Sequence, residues 1–463
     1  MVTLLREPAR PAAVRSHPMA PWFAVGTVCF GAFMGQLDAS IVTVAFPALQ
    51  RQFGTSLAGV QWVSLGYLLV LVALLVPAGR WSDRVGRKLC YLAGFVAFVA
   101  ASAACGLAGS LAVLIGLRLV QAVGAALLQA NSVALVTTSV PAPKRRAALG
   151  IQAAAQAVGL AAGPVTGGLL IATAGWRWIF LINVPVGLVA VAAGWFLLPR
   201  SRHLAGRRGG DPAGTVLLAA SAAGAMLAIS SLSGLGLPMW VVAAFAAVAV
   251  LAGAGLWRWE RRSATPLLDF AALSRGMAPA LGGALCAYLV LFGPMVLFPQ
   301  VIAAHGGSAL SSGLLLTSLP AGFGLAAVTS NGFHWPNRLR CLVGGLVAAG
   351  CAAALAIPAP HAVSVVLLGL LGAGLGIYTP ANNAEIMAAL PIRDAAAGGG
   401  MVNMTRGIGT ALGVAVVTLG LHTAKLAGVP SAGPPIALAA LSAAGFAAAW
   451  AGSRPASRPL GPR

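Results

Sequence analysis

Asp38 is the one charged residue in an apolar stretch that runs from Pro21 to Pro47. A carboxyl group at membrane depth costs about 3 kcal/mol or more, so such residues are rare and usually carry a function. The chemistry open to a lone carboxyl there is to bind and release a proton. Asp38 is therefore interpreted as a proton carrier, and a hydrogen-bonded carboxyl with a structural role is the alternative.

Arg118 lies inside another apolar segment at a similar depth. It is about seven residues from the outer end of its segment and Asp38 about nine, which at 1.5 Å per residue is roughly 10–14 Å for both. A buried carboxyl favours its protonated form, whereas a nearby arginine favours the charged form. In a carrier that opens to each side in turn, both the burial of the carboxyl and its distance from the arginine change. Such changes would let the carboxyl bind a proton on one side and release it on the other. A purely structural ion pair is the alternative for Arg118.

A second polar cluster lies near the end of the chain. Glu385 approaches the inner end of one apolar segment, and Arg406 starts about nine residues deep in the next. The two side chains could pair near the inner face, as a structural or gating pair or as a second proton site. Other polar and aromatic residues within the segments are candidates to line a substrate cavity, although the aromatic ones could equally anchor the interface: Gln36, Trp62, Tyr67, Gln121, Gln156, Asn183, Asn383 and Arg406.

The composition indicates the kind of secondary structure that places these residues inside a bilayer. Of 463 residues, 59% are hydrophobic and 8% charged, and the mean hydropathy is +0.91, whereas a soluble domain carries about 25% charged residues. The 59 glycines allow membrane helices to pack closely. The sequence therefore predicts an all-α polytopic membrane protein.

The apolar segments predict fourteen transmembrane helices in a six, two, six arrangement: 21–47, 57–78, 89–108, 111–137, 147–172 and 178–198; 213–234 and 238–257; 277–300, 310–329, 341–358, 362–389, 397–421 and 434–452. The corresponding regions are a cytoplasmic segment 1–20, a six-helix bundle 21–198, two extra helices within 213–257, a second six-helix bundle 277–452 and a cytoplasmic tail 453–463. The extra pair is nearly free of polar residues, so lipid-facing packing is expected. Two related halves around a central site are typical of transporters.

The net charge of +21 follows the membrane topology. Nearly all Lys and Arg residues fall in alternate loops, and the other loops hold only Arg51, Arg177 and Lys425. This pattern predicts a multi-pass protein of the cytoplasmic membrane with both termini in the cytoplasm. Contacts with lipid headgroups explain the charge, and a nucleic-acid partner is not expected.

The sequence offers little to an enzyme. Its six histidines make no HExxH or similar metal spacing, and there is no phosphate-binding loop or G-x-S-x-G motif with triad partners. The six cysteines lie in or beside apolar segments and form no CxxC, as expected of small buried residues. We expect no catalytic residue, metal or cofactor, and no ATP-driven step.

Two glycine motifs stand out between and within the predicted spans. The first is Gly79-Arg-Trp-Ser-Asp-Arg-Val-Gly-Arg-Lys88, where glycines permit a tight turn, Asp83 could cap a helix, and Arg84, Arg87 and Lys88 could pair with acids or helix ends. The second places Gly159, Gly163 and Gly167 every four residues on one helix face, beside Pro164 and Gly168. Such a face lets another helix approach closely, and the proline bends its helix.

These residues resemble the major facilitator superfamily, whose loop signature G-x-x-x-D-R-x-G-R-K/R is complete in Gly79–Lys88. Four further segments are similar to the fourteen-helix drug:proton antiporters of the EmrB/QacA type: Leu37–Pro47, Arg118–Gly124 with Ala122 in place of a glycine, Gly159–Gly168, and Trp176–Gly187. The resemblance implies that Arg118 handles protons and that the Gly159–Gly168 motif forms a leak-limiting contact between two halves. The basic segment Asn331–Arg340 of the second half departs from the loop pattern.

The expected function is proton-coupled export of lipophilic or amphipathic small molecules, by a chain that works as a monomer in the lipid bilayer. Because Asp38 and Glu385 are the only acids within the bounds of the predicted spans, neutral or monovalent substrates are expected over divalent cations. A dedicated exporter of an endogenous metabolite, a non-transporting receptor and a membrane-embedded enzyme are the alternatives.

Overall fold

The computed structural model describes residues 9–200, 211–232, 238–263, 277–330, 335–388 and 395–454. Within these residues, thirteen helices are long and apolar enough to span a membrane, and they coincide with thirteen of the predicted spans. The remaining predicted span, 213–234, contains the shorter described apolar run Ala213–Ala225. The chain is thus an all-helical protein with many membrane-spanning segments.

The first six-helix set comprises α1 (Ala20–Val44), α2 (Trp62–Val85), α3 (Arg87–Gly106), α4 (Leu111–Ser139), α5 (Arg145–Thr173) and α6 (Asn183–Leu197). An additional pair follows, α7 (Pro212–Leu232) and α8 (Met239–Glu260). The second set comprises α9 (Ala278–Ala304), α10 (Ala309–Thr329), α11 (Asn337–Leu355), α12 (His361–Ala388), α13 (Ala395–Leu426) and α14 (Gly433–Ser453). Short helices at Ala12–Arg15, Phe46–Phe53, Leu57–Val60 and Trp178–Leu181 flank or extend the long ones.

The two six-helix sets pack by the same rule. In the first set α1 packs on α5, α2 on α4, and α3 on α4 and α6; in the second α9 packs on α13, α10 on α12, and α11 on α12 and α14. Across the interface, α5 meets α10 and α2 meets α13. These two contacts exchange when the sets are exchanged, so the architecture has a pseudo-twofold relation between halves, as in many transporters.

Equivalent glycines carry this relation at residue level. A Cβ on Gly159 of α5 would meet the Phe33 carbonyl of α1, and a Cβ on Gly409 of α13 would meet the Leu285 carbonyl of α9. The close approach of α5 to α1 and of α13 to α9 therefore depends on small residues in the same register. Gln156 and Arg406 each lie three residues before these glycines and occupy corresponding positions in the two halves.

The extra pair packs on one side of the two halves. Helix α7 contacts α2 of the first half and α13 of the second, while α8 packs mainly on α7. Leu218 of α7 and Leu256 of α8 join an apolar cluster with Leu281, Ile386 and Val402. The expectation of purely lipid-facing packing is thus wrong for α7, which bridges the halves; α8 exposes Val250 and Leu251.

The segment Gly79–Lys88 has a different local structure from the tight turn expected of it. Helix α2 continues through Gly79 and Asp83 to Val85, and only Gly86 breaks the backbone, at φ 122°. Gly86 is the residue before α3, whose first turn receives no side-chain cap. The predicted turn at Gly79 and the predicted capping role of Asp83 are both wrong, because one glycine suffices to reverse the chain.

Candidate functional site: a buried ion pair beside a central cavity

Asp38 of α1 and Arg118 of α4 form an ion pair, with 2.6 Å between Arg118 Nη1 and Asp38 Oδ2. Both side chains are buried, at 0% and 1% exposure. The other carboxylate oxygen, Oδ1, accepts from Gln121 Nε2 at 3.1 Å and from Asn183 Nδ2 at 3.4 Å. Three side chains from α4 and α6 therefore hold the charged carboxylate, as a buried anion requires.

Arg118 is held on its other edges as well. Its Nη1 also donates to Gln121 Oε1 at 2.6 Å, and its Nε donates to the Val63 carbonyl of α2 at 3.0 Å. The guanidinium carbon lies 4.1 Å from the centre of the Tyr67 ring. Ser102 of α3 accepts from Gln121 and Asn183, so the pair and its partners join helices α1, α2, α3, α4 and α6 of one half.

A cavity of about 680 Å³ lies between the two halves. It lies beside the ion pair and not on it, because Asp38 and Arg118 are absent from its wall. Its polar lining comes from both halves: Gln36, Tyr67, Gln129, Ser132, Gln152 and Gln156 from the first, and Tyr288, Thr379, Asn383, Asn403, Arg406 and Thr410 from the second. A volume of this size suits a drug-sized ligand.

Tyr67 separates the cavity from the ion pair. Its ring covers Arg118 on one side and lines the cavity on the other. A void of about 10 Å³, the space of one water molecule, lies against Tyr67, Ser64, Arg118 and Thr410. Within the described residues the hydroxyls of Tyr67 and Ser64 are buried with no hydrogen-bond partner. A water molecule in this void could therefore hydrogen-bond to both hydroxyls beside Arg118.

The cavity lies toward one end of the molecule, and the two halves are in close contact at the other. We call the end that carries Arg80, Arg87, Lys144 and Arg145 the basic face. The cavity wall draws on the basic-face portions of α5, α10, α12 and α13. At the opposite face, a Cβ on Gly313 of α10 would strike the Pro164 carbonyl of α5, so the cavity is closed on that side.

The Gly159–Gly168 motif divides between two tasks. Gly159, Gly163 and Gly167 face α1 of their own half, where a Cβ on Gly163 would strike Ser40 Oγ. Gly168 faces the other half: its Cβ would lie 2.6 Å from the Ala309 carbonyl. The contact between halves that the resemblance implies is therefore made by Pro164 and Gly168, while the four-residue glycine repeat packs α5 on α1.

At the basic face, Arg87 Nε and Asp83 Oδ1 form an ion pair at 2.8 Å. Lys88 Nζ donates to the carbonyls of Trp195 and Leu198, at 2.8 and 2.7 Å, and so caps the end of α6. The predicted pairing of Arg87 with an acid and of Lys88 with a helix end describes these contacts. The side chain of Arg84 lies outside the described part of the structure.

Glu385 and Arg406 do not pair. The Glu385 carboxylate accepts from Asn337 Nδ2 of α11 at 3.1 Å, whereas Arg406 of α13 lines the cavity beneath Tyr288, 5.1 Å from its ring centre. Glu385 shares its face of α12 with Tyr378, which contacts Cys341 of α11. The predicted pair is wrong because the two residues have compatible depths but point in different directions around their helices.

Five of the eight proposed cavity residues lie on the described wall: Gln36, Tyr67, Gln156, Asn383 and Arg406. Gln121 and Asn183 belong instead to the ion-pair network, and Trp62 begins α2 near the opposite face. The sequence reading missed Ser102, Gln152 and Tyr288. Polar residues repeated at helical spacing within a span, such as Gln152 and Gln156, indicate additional cavity residues.

Similarity to known proteins identifies the family of this chain. Residues 28–414 match the Major Facilitator Superfamily. The chain belongs to this superfamily. A tetracenomycin C resistance and export protein of Streptomyces glaucescens is 33% identical to it, over 86% of this chain and 75% of the relative. The drug efflux pump JefA of Mycobacterium tuberculosis is 33% identical over 83% and 77%, and the riboflavin transporter RibZ of Clostridioides difficile 27% identical over 85% and 87%.

A major facilitator protein moves small molecules across a membrane, and the geometry has the parts for it. The halves enclose a ligand-sized cavity, one end is closed by glycine contacts, and a buried ion pair lies behind a single aromatic side chain. The superfamily is one of transporters, which accords with the expectation of a non-enzymatic chain.

Proposed function

We propose that this protein is a secondary active exporter that exchanges lipophilic or amphipathic small molecules for protons. The observation that carries the proposal is the Asp38–Arg118 pair, buried in one half and separated from the central cavity by Tyr67. Because this carboxyl lies so close to the ligand cavity, its protonation can change the structure of the cavity wall.

The coupling follows from the contacts of Asp38. Protonation removes the charge that holds Arg118, Gln121 and Asn183 in place, and a neutral carboxyl accepts these donors more weakly. Arg118 lies on Tyr67 and is bonded to α2, so its release loosens the wall shared with the cavity. The protonated protein would favour one orientation of the two halves and the charged protein the other. Binding or release of a proton would then shift the population between these two orientations.

Several features support a drug exporter of the fourteen-helix type. Relatives at about one-third identity are named for resistance, export or drug efflux. Helix α7 has 21 residues, about 32 Å at 1.5 Å per residue, which is long enough for a fourteenth span. Fourteen spans would put both termini on the basic face, and the distribution of Lys and Arg supports a cytoplasmic location for that face. The chain would act as a monomer in the bacterial cytoplasmic membrane.

The proton gradient is strong enough for this task. One proton crossing 100 mV supplies about 2.3 kcal/mol, which sustains roughly a fiftyfold gradient of a neutral substrate at one-to-one exchange. For a monovalent cation exchanged one-to-one, the voltage contributions cancel and the pH difference alone remains.

The test is transport by inverted membrane vesicles, with lipophilic dyes and drugs as substrates. Wild type, Asp38→Asn and Glu385→Gln are compared at equal protein levels, with and without an uncoupler. We expect uncoupler-sensitive uptake by wild type and by Glu385→Gln, whose carboxylate bonds to Asn337, and its loss in Asp38→Asn. Coupled uptake that survives in Asp38→Asn but not in Glu385→Gln would move the proton site to Glu385.

A second candidate is a dedicated carrier of one endogenous metabolite. It is favoured by the relative named as a riboflavin transporter, which matches this chain along most of both lengths. Uptake of a single metabolite, with no member of the drug panel transported, would select this alternative.

A further inference from the structure

The wall of the central cavity carries an unusual balance of charge. Among the described lining residues Arg406 is the one charged side chain, and there is no Asp or Glu. The other polar groups are amides and hydroxyls. A cavity built to hold an organic cation would place a carboxylate on its wall, so the described lining favours a negative partner over a positive one.

Arg406 is partly buried in the cavity wall, and one atom of its guanidinium group is closed off from solvent. Its Nε is buried with no hydrogen-bond acceptor in the described part of the chain, and it belongs to neither the Arg87–Asp83 nor the Arg118–Asp38 ion pair. One face of the guanidinium lies near the Tyr288 ring. A buried charged donor without an acceptor is unfavourable, so a ligand that supplies an acceptor to Arg406 Nε gains binding free energy.

The two halves differ at this point. Gln156 occupies the position in α5 that Arg406 occupies in α13, and both line the cavity. The pseudo-twofold relation thus pairs a neutral amide on one wall with a cation on the other. Gln152 lies one turn before Gln156 and also lines the cavity, which leaves the first half able to hydrogen-bond neutral polar groups.

We propose that Arg406 is the anion-binding subsite of the substrate cavity, and that the preferred substrates are amphipathic organic anions with an aromatic body. A carboxylate, sulfonate or acidic enol of the substrate accepts from the guanidinium edge, since arginine matches planar oxyanions in a bidentate fashion. The aromatic body packs on the apolar and aromatic wall, for which Leu71, Leu75, Tyr288 and Phe323 are available. This subsite rests on the proposed transport function.

The inference is tested with two fluorescent probes that share one scaffold. 8-Anilinonaphthalene-1-sulfonate carries the anion, and N-phenyl-1-naphthylamine is the same skeleton without it. Binding is titrated on purified protein in phosphatidylcholine nanodiscs, against empty nanodiscs, for wild type, Arg406→Gln and Arg406→Lys. Arg51→Gln serves as the matched control, because Arg51 is an exposed arginine far from the cavity wall.

We expect Arg406→Gln to weaken binding of the sulfonate probe by about tenfold or more, as for the loss of a charged hydrogen-bond partner. Arg406→Lys should retain most of the affinity, and Arg51→Gln all of it. Binding of the neutral amine should be the same in every variant. Equal sulfonate affinity in wild type and Arg406→Gln would overturn the proposal, and so would an equal loss of both probes, which would indicate a distorted cavity.

Vesicle uptake of the same probes separates this proposal from the transport function. If the neutral amine is taken up in an uncoupler-sensitive manner but Arg406 does not affect the sulfonate, the anion subsite is wrong and proton-coupled export stands. If sulfonate binding requires Arg406 but neither probe is driven by the proton gradient, the subsite stands and the coupling is wrong.

Discussion

The Asp38 carboxylate is held in place by three buried side chains. Arg118, Gln121 and Asn183 reach it from two helices, and none of these groups has access to bulk water. A buried ion pair contributes little net stability, yet removal of one partner is costly since the other charge is left alone. The same arrangement therefore makes the half sensitive to the protonation of a single group.

Arg118→Gln alone should destabilise the protein by about 3–5 kcal/mol, because it leaves the Asp38 carboxylate buried and unpaired. The double variant Asp38→Asn with Arg118→Gln removes both charges and should recover a large part of this loss. Thermal unfolding of the purified variants in one detergent measures the difference. The expectation fails if the double variant is as unstable as the sum of the two single ones.

At the level of elements, the junction of α2 and α3 depends on one backbone conformation. Gly86 has φ 122°, where an L residue is strained, whereas Gly79 lies inside α2 with the nearest foreign atom 3.8 Å from an added Cβ. The ion pair Arg87–Asp83 and the Lys88 cap of α6 both flank this junction. Its geometry positions the ends of three helices.

Gly86→Ala should therefore cost about 1–3 kcal/mol through backbone strain and reduce the amount of folded protein in the membrane. Gly79→Ala, in the same motif, should be tolerated with an effect below about 1 kcal/mol, since alanine favours a helix. Folded yield and melting temperature in detergent measure both. Equal losses in the two variants would contradict the assignment of the turn to Gly86 alone.

The sequence predicted how deep a residue lies along its helix, but not which side of the helix its side chain faces. Counting residues from span ends put Asp38 and Arg118 at one level, and the two side chains meet. The same counting for Glu385 and Arg406 failed, because Glu385 faces α11 and Arg406 faces the cavity. Rotation about a helix axis is set by packing against neighbours, as shown by the glycine faces of α5 and α13. Single apolar spans carry too little periodicity to reveal it.

At the level of the whole molecule, composition predicted a polytopic helical membrane protein, and the six, two, six order of the apolar segments indicated two halves. The relation between the halves was hidden, because the loop Gly79–Lys88 has no close copy in the second half. It is visible instead in the glycine spacing shared by Gly159–Gly163 and Gly409–Gly413, which pack equivalent helix pairs. Close approach of two helices requires small residues at the contact, which explains why both halves have glycines there.

The closed end predicts how the halves can be pushed apart. Gly313→Val places a side chain against the Pro164 carbonyl and should favour conformations in which the opposite face is open. Spin labels at Thr173 and Ser308, with the native cysteines replaced, should report longer distances by electron–electron double resonance. Gly282→Val, where an added Cβ meets nothing within 4 Å, should leave the distance distribution unchanged. Unaltered distances in Gly313→Val would show that this contact does not hold the end closed.

Helix α7 lies across the seam between α2 and α13, and its apolar cluster with Ile386 and Val402 lies toward the basic face. The pseudo-twofold counterpart of this seam, between α5 and α10, has no such cover among the described helices. Lipid acyl chains therefore contact α7 on one flank of the protein, and on the other flank they contact the junction of α5 and α10 directly.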